Sequence, residues 1–335
     1  MKISLVIILL FSLNVRLFAQ ADAATIRAAQ TTVTSASNSL RPYQKFSDND
    51  SVHWLFGGDA SLLFRATTLT NWAQGGEDQI GMSPIANLYY NYKKGKYTLE
   101  NYATFAYGFL KTGENEAIKN DDRLHYLSKF GYQMMPKMFY TASILLRTQF
   151  AAGYRYSKTD TIRINDFWAP AYVFVSAGID YRPNNSLSFV VSPVKGRATY
   201  IGAKFDIEDD LNIFRTAGMT TTQKDEDGND IIHPLYSRYE FGGGAVISFR
   251  GNLLKDRISY NSQIDLFSNY MNNPENIDIV WAFQTKILIY RNISADIRLD
   301  MKYDHNQRPL NEDGTLGYPQ VQTRSFLGLG LFYQF

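Results

Sequence analysis

The chain has 335 residues, a formal net charge of +2 and no cysteine. This composition excludes disulfide bridges, thiolate catalysis, thiolate metal sites and a lipid anchor on an N-terminal cysteine, and the near-neutral charge argues against a nucleic-acid partner. Tyrosine (23 residues) and phenylalanine (22 residues) are abundant, which suits β-structure and the aromatic girdles of membrane barrels. The mean hydropathy is −0.27, and no apolar run is long enough for a transmembrane helix.

The first residues have the pattern of a secretory signal peptide. Lys2 supplies a basic start, residues 3–13 form a short apolar core, and Ala19 is a small residue suited to a cleavage position. We therefore expect a cleaved signal peptide over residues 1–20, with the exact cut left open by Arg16. The polar residues 21–51 are expected to form a flexible periplasmic segment, and residues 52–335 to form the folded domain.

From Trp54 onward the apolar residues alternate with polar ones, which is the period of a β-strand. The strand at 292–304 shows this best, because Ile297, Leu299 and Met301 alternate with charged residues. The pattern predicts twelve strands, or fourteen if residues 197–203 add to the barrel, and it predicts a hairpin turning at Asp227-Gly228 inside a long connection over 194–235. The predicted strands are 54–69, 79–92, 96–109, 122–133, 138–150, 169–182, 186–193, 236–250, 257–268, 277–290, 292–304 and 323–335.

The predicted connections alternate between short and long. Short ones follow every even-numbered strand, and mostly longer ones, such as 151–168 and 305–322, follow the odd-numbered strands. A strand of about twelve residues, tilted by roughly 45°, rises about 28 Å, close to the thickness of a bilayer core. A soluble sandwich can show similar alternation, but its strands are shorter. The sequence therefore predicts an all-β fold: a single antiparallel transmembrane β-barrel with short periplasmic turns and long external loops.

The last residues, TRSFLGLGLFYQF, place Leu327, Leu329, Leu331, Tyr333 and Phe335 on one face of a strand. Lipid covers such a face when the strand closes a membrane barrel. This ending is similar to the C-terminal strand of bacterial outer-membrane proteins, and the resemblance implies that Tyr333 and Phe335 act as an assembly signal for the barrel-assembly machinery.

Several stretches carry a further resemblance. They are NWAQGGED from Asn71, YYNYKKGKYTLEN from Tyr89, YGFLKTGENE from Tyr107, DDRLHYLSKFGYQ from Asp121 and LRTQFAAGYRY from Leu146. Together they resemble a family of Bacteroidota outer-membrane barrels catalogued only as a domain of unknown function, over about residues 52–335. The N-W-x-x-G-G-E element is the most specific. The resemblance implies an outer-membrane barrel and brings no catalytic residue with it.

Charged residues of both signs fall on the faces predicted to point inward. They fit either a polar pore with a charged constriction or a lumen closed by paired charges. The predicted lumen charge ladder consists of Arg147, Asp265, Lys286, Asp296, Arg298, Asp300 and Lys302. Further inward charges are Arg65, Glu100, Lys129, Asp180 and Glu240. At the first external turn, four residues are candidates for shaping the mouth or a contact surface: Asn71, Trp72, Glu77 and Asp78.

No constellation in the sequence points to an enzyme, a metal or a cofactor. His125 and Ser128 differ in strand parity, so they cannot form a hydrolase dyad. Asp225, Asp227 and Asp230 surround Gly228, but the full calcium-loop pattern is lacking, which favours a solvated turn.

We expect a multi-pass outer-membrane protein that contacts lipid and binds no nucleic acid. The first functional hypothesis is a porin-like or selective channel for a small polar solute. The alternative is a closed barrel that serves as a structural or accessory subunit of an outer-membrane complex.

Overall fold

The computed structural model describes residues 54–67, 79–114, 116–156, 161–225, 230–306 and 317–335. The expected signal peptide and periplasmic segment, the NWAQGGED stretch and the Asp227-Gly228 turn lie outside these residues. Within them, the chain forms sixteen strands and one helix. In chain order they are β1 (Trp54–Thr67), β2 (Gln79–Lys94), β3 (Tyr97–Thr112), β4 (Ile118–Met135), β5 (Met138–Thr148), β6 (Gly153–Tyr156), β7 (Thr161–Asn165), β8 (Ala171–Tyr181), β9 (Leu187–Tyr200), α1 (Ile207–Ala217), β10 (Thr220–Lys224), β11 (Asp230–Pro234), β12 (Ser237–Leu253), β13 (Ile258–Asn269), β14 (Ile277–Tyr290), β15 (Ile293–Tyr303) and β16 (Gln322–Gln334).

Twelve of these strands close into one antiparallel barrel, which confirms the predicted fold. Their order around the wall is β1-β16-β15-β14-β13-β12-β9-β8-β5-β4-β3-β2. The barrel closes where β1 pairs with β16, from Asp59 opposite Gln334 to Phe64 opposite Leu329. Beyond this register, the Phe335 N–H donates to the Gly58 carbonyl at 3.0 Å and the Gly58 N–H donates to the Phe335 carbonyl at 2.9 Å. Full closure leaves no free sheet edge in the wall.

The two ends of the barrel differ in their connections. Turns of a few residues join β2 to β3, β4 to β5, β8 to β9, β12 to β13 and β14 to β15, and we call this the short-turn end. The other connections lie at the long-loop end. At the short-turn end, Gly95 and Lys137 adopt positive φ angles of 55° and 67°, as tight turns between twisted strands require.

The outer wall is apolar and the inner wall is polar. Leu327, Leu329, Leu331, Tyr333 and Phe335 each have 46–61% of their surface exposed on the outside. A surface of this kind is stable against lipid and not against water. Aromatic side chains cluster near the short-turn end of the wall, where Trp54 stacks on Tyr90 with ring centroids 4.4 Å apart. Such belts fit the boundary between lipid and water.

Strand β9 corrects the prediction for residues 186–203. The sequence predicted a strand ending at 193, but β9 continues to Tyr200, so residues 197–200 extend an existing strand and add no new one. Pro193 and Val194 are both exposed, whereas Ser192 and Lys195 are both buried. Two consecutive outward residues mark a bulge, and after it the inward positions change from even to odd numbers. This change of parity broke the alternation on which the prediction depended.

The connections at the long-loop end fold into structure that the sequence did not predict as such. In the 149–170 connection, β6 pairs with β7. In the 201–236 connection, α1 precedes the β10–β11 hairpin, and the hairpin itself agrees with the prediction. We call this assembly of α1, β6, β7, β10 and β11 the cap.

The helix α1 has clear local signals. The Asp206 carboxylate accepts a hydrogen bond from the Glu208 N–H at 3.0 Å, and Gly218 ends the helix with a left-handed φ of 66°. Its apolar side chains belong to a buried core in the cap: Ala169, Ile201, Phe205, Ile213, Phe214, Ala217 and Met219. Among the described residues, no helix combines the length and apolar character needed to cross a bilayer.

Cysteine labelling tests which end faces the cell exterior. The chain has no cysteine of its own, so a single substitution is labelled alone. Tyr318→Cys lies at the long-loop end, where Tyr318 is 89% exposed, and it should react with an impermeant maleimide on intact cells. Asn184→Cys lies in a short turn and should react only after the outer membrane is opened. Equal labelling at both positions would contradict the topology.

Changing Phe335→Asp tests the closing strand. The side chain of Phe335 is 57% exposed on the outer wall beside Tyr333, so an aspartate there would place a charge against lipid. We expect loss of the folded, heat-modifiable form on a gel. Phe335→Leu keeps the apolar contact and should retain most of the folded protein, so comparable folded yields from the two variants would refute the role of the apolar contact.

Candidate functional site

The predicted charge ladder on β15 lies inside the barrel. The side chains of Asp296, Arg298, Asp300 and Lys302 alternate with outward residues and are 0–6% exposed. Asp300 accepts hydrogen bonds from Arg324 on β16, the shorter at 2.9 Å, and Lys302 lies 3.9 Å from Asp304. The Asp296 carboxylate accepts only a long hydrogen bond of 3.3 Å, from Ser294, and its Oδ1 has no partner among the described residues.

A cluster of charged residues around Asp121 crosses the lumen near the long-loop end. Arg123 donates two hydrogen bonds to this carboxylate, at 2.9 and 2.8 Å. Arg298 on β15 approaches it to 3.8 Å and Arg324 on β16 to 3.5 Å. Asp121 belongs to β4, and the wall strands β3, β2 and β1 lie between it and β16. These contacts therefore pass through the interior and not along the wall.

A second cluster at the long-loop end is centred on Arg197. Its guanidinium donates two hydrogen bonds of 2.5 Å to Glu240 and one of 2.8 Å to Asp278, and it lies 3.3 Å from Asp304. Arg238 reaches both this cluster and the cap, because it donates to Glu240 at 3.3 Å and also to the Gly218 carbonyl that follows α1. A cation at the C-terminus of a helix is stabilised by the exposed carbonyls.

Two more clusters lie toward the short-turn end. Asp180 accepts hydrogen bonds from Lys129 at 2.5 Å and from Arg182 at 2.7 Å, and Arg182 also donates to Glu100 at 2.7 Å. On the other side of the lumen, Lys286 lies 3.3 Å from Asp59 and 3.7 Å from the centroid of the Phe332 ring.

Apolar side chains fill the lumen between these clusters on the β1–β4 side. Leu63, Ile85 and Ala106 form one buried group, and Tyr89, Tyr102 and Leu127 form another. These groups place apolar contacts among the polar inward residues of the same strands, such as Asn87 and Thr104.

On the opposite side of the interior, the described residues enclose two neighbouring cavities. The lower cavity, which lies nearer the short-turn end, has a volume of about 100 Å³. Its lining is rich in hydroxyl groups and includes Ser143, Ser176, Ser188, Ser192 and Ser248. The upper cavity, of about 40 Å³, is lined by Arg147, Tyr172, Phe174, Lys195, Arg197, Asp265, Phe267, Asp278, Val280, Lys302, Tyr303 and Asp304. Phe174, Lys195 and Asp265 line both, and Lys195 donates a 2.5 Å hydrogen bond to Asp265. This pair separates the cavities.

Arg147 is the member of the predicted ladder with the fewest bonds. Its side chain is 4% exposed, and its guanidinium carbon lies 5.0 Å from the centroid of the Phe174 ring. Its Nε and Nη2 atoms are buried without a hydrogen-bond partner among the described residues.

The sequence predicted several of these residues and missed others. It placed Glu100, Lys129, Asp180 and Glu240 inward, and the structure places them there. The side chain of Arg65 and all of Asn71, Trp72, Glu77 and Asp78 lie outside what the structure describes. The network residues that the sequence analysis did not single out are Asp59, Asp121, Arg123, Arg182, Lys195, Arg197, Arg238, Asp278, Asp304 and Arg324.

The missed residues on β9 had a signal. Lys195, Arg197 and Thr199 alternate with the small or aromatic residues Gly196, Ala198 and Tyr200, which is itself a strand pattern. Asp121 was missed because the predicted strand began at 122, whereas β4 begins at Ile118.

Acid–base or metal chemistry has little geometric support among the described residues. His125 is buried inside the barrel, whereas Ser128 is on the opposite face of β4. No group of three or more metal-binding side chains occurs in the part of the chain that the structure describes.

Comparison with known proteins gives one family match. Residues 64–154 match a family described as "Protein of unknown function (DUF3078)". This stretch contains the NWAQGGED element and Arg147. Comparison with curated protein sequences gives no match.

The similar solved structures are distant. The translocator domain of the autotransporter NalP from Neisseria meningitidis has 9% identity and a TM-score of 0.36, covering 86% of this chain and 90% of its own. An outer-membrane channel from Pseudomonas putida F1 has 10% identity and a TM-score of 0.38, covering 87% and 100%. The NanC porin has 10% identity and a TM-score of 0.34, covering 82% and 98%. At these values no activity can be transferred to this chain.

Asp121→Asn tests the cross-lumen cluster. The substitution removes the charge that Arg123, Arg298 and Arg324 share, so buried guanidinium groups lose their compensation. We expect a loss of about 3–5 kcal/mol in the free energy of unfolding, measured by urea titration in lipid vesicles. Asp256→Asn, in an exposed turn at a positive φ that asparagine accepts, should change it by less than about 0.5 kcal/mol. Equal effects would show that Asp121 is not a structural centre.

Proposed function

We propose that this chain is an outer-membrane β-barrel with a closed lumen, which holds the cap at the cell surface as a structural or accessory subunit of a membrane complex. The observation that carries the proposal is the Asp121 cluster, because its contacts with Arg298 and Arg324 pass through the interior. An open pore hydrates its inward charges, whereas here most of the inward charges are buried in ion pairs with one another, Arg147 and Asp296 excepted.

The cap supports this role. It has its own apolar core, and Arg238 ties the end of α1 to the Arg197 cluster inside the barrel. A folded element fixed to the wall in this way offers a constant surface to a partner, which is useful to an accessory subunit. Under this proposal the chain is not an enzyme, it contacts outer-membrane lipid and the barrel-assembly machinery, and the long-loop end faces the exterior.

The second candidate is a gated channel for a small polar solute. It is favoured by the two cavities, which follow one side of the interior and are separated by the Lys195–Asp265 pair. In this alternative the pair and the Phe174 ring would form the gate, and the hydroxyl-rich lower cavity would be the vestibule.

Conductance in planar bilayers separates the two candidates. The closed-barrel proposal predicts that the wild type gives no single-channel steps, and that the charge-conserving double variant Lys195→Ala/Asp265→Ala stays silent because the other clusters still fill the lumen. A gated channel predicts steady steps from the double variant. The control is Lys255→Ala/Asp256→Ala in an exposed turn. Steady conductance by the wild type would overturn the closed-barrel proposal.

A further inference from the structure

The upper cavity contains a buried cation that lacks a partner. Arg147 lines it at 4% exposure, and two of its guanidinium nitrogens have no hydrogen-bond acceptor among the described residues. A buried guanidinium without acceptors is strongly unfavourable, because it has lost its hydration and gained nothing in return. The Phe174 ring, 5.0 Å away, compensates only a small part of that loss.

The nearby carboxylates are already engaged. Asp265 accepts the short hydrogen bond from Lys195, and Asp278 accepts one from Arg197. Asp304 lies against Arg197 and Lys302. His125, which faces Arg147 in the register with β4, adds no negative charge.

The local charge balance is positive. The lining itself has four cations and three carboxylates, and following its ion pairs outward adds Glu240, bound to Arg197, and then Arg238, bound to Glu240, which makes five cations and four carboxylates among the described residues. The cations are Arg147, Lys195, Arg197, Arg238 and Lys302, and the carboxylates are Asp265, Asp278, Asp304 and Glu240. Water can accept hydrogen bonds from Arg147, but it cannot supply the missing negative charge.

We propose that the upper cavity is a binding site for one small monovalent anion of chloride size, held by the guanidinium of Arg147. The cavity volume of about 40 Å³ is enough to hold an ion the size of a halide. The rings of Phe174 and Phe267 form the apolar part of the lining, and burial beside them strengthens the attraction between an ion and the guanidinium. The lower cavity shares Phe174, Lys195 and Asp265 with the site, so it provides the approach from the short-turn end.

The proposal concerns a ligand and is independent of whether the barrel conducts. A bound anion completes the charge network, so it should stabilise the folded barrel in proportion to the logarithm of its concentration above the dissociation constant. Variants of Arg147 should remove this dependence. They should also remove the unpaired charge, so they should not be less stable than the wild type when small anions are absent.

The test is thermal unfolding of the full-length barrel in detergent, in sodium chloride and in sodium gluconate of equal ionic strength. For the wild type we expect an unfolding temperature that rises with chloride and is lower in gluconate, since the proposed site takes a compact monovalent ion and gluconate is a long, hydroxylated one. For Arg147→Gln we expect the same unfolding temperature in both salts. Arg257→Gln removes the same charge from an exposed turn and should keep the full chloride response of the wild type.

A wild type that unfolds at one temperature in both salts would overturn the proposal, because water alone would then satisfy Arg147. An unchanged chloride response in Arg147→Gln would overturn it as well. If Arg147→Gln does not fold, bromide-soaked crystals of the wild type decide the question. Anomalous density beside the Arg147 guanidinium supports the site, and its absence at full bromide exchange refutes it.

Discussion

The interior of this barrel depends on one constraint: a charge removed from water must find a partner. In each of the twelve strands, apolar side chains face the lipid and alternate with side chains that point inward. Every second residue is therefore directed into the narrow interior of the barrel. At that density the charged residues compensate one another. Asp121 on one side of the wall is shared by arginines from three strands, and Arg197 gathers carboxylates from β12, β14 and the end of β15. The rigidity of the lumen follows from this mutual pairing.

The same pairing connects parts that the chain separates. Arg238 lies at the start of β12, directly after the cap, and it contacts both the end of α1 and Glu240 in the lumen. A shift of the cap would therefore move Arg238 away from Glu240. A change in the Arg197 cluster would in turn alter the contact between Arg238 and the end of α1. The aromatic contact between Phe214 on α1 and Tyr236, with centroids 5.3 Å apart, fixes the same junction from the apolar side. The cap and the lumen thus form one mechanical unit.

Much of the wall could be predicted from the sequence, because the alternation of apolar and polar residues shows directly which side chains face lipid. In β15, for example, the outward orientation of Ile297, Leu299 and Met301 follows from this alternation alone. The inward orientation of Asp296, Arg298 and Asp300 follows in the same way, without knowledge of the neighbouring strands. Two things could not be predicted in this way. The bulge at Pro193 and Val194 reverses the parity of β9, so Lys195 and Arg197 seemed to lie in a loop. The partners of each charge come from strands far apart in sequence, and alternation carries no information about them. The short helix α1 was not predicted, although the Asp206 cap and the terminating Gly218 are local signals that the sequence carries.

The closing seam has a consequence for how the protein matures. Lys286 on β14 reaches Asp59 on β1, and the strands between them in the wall are β15 and β16. This contact therefore cannot form until the first and last strands have met. Before that moment the inner face is open, and its charged side chains are hydrated as in any unfolded chain. Pairing of β1 with β16 expels that water in a single event, so the wall and the ion pairs of the interior should form together. An intermediate in which these two strands are not yet fully paired should keep a hydrated inner face and should be permeable.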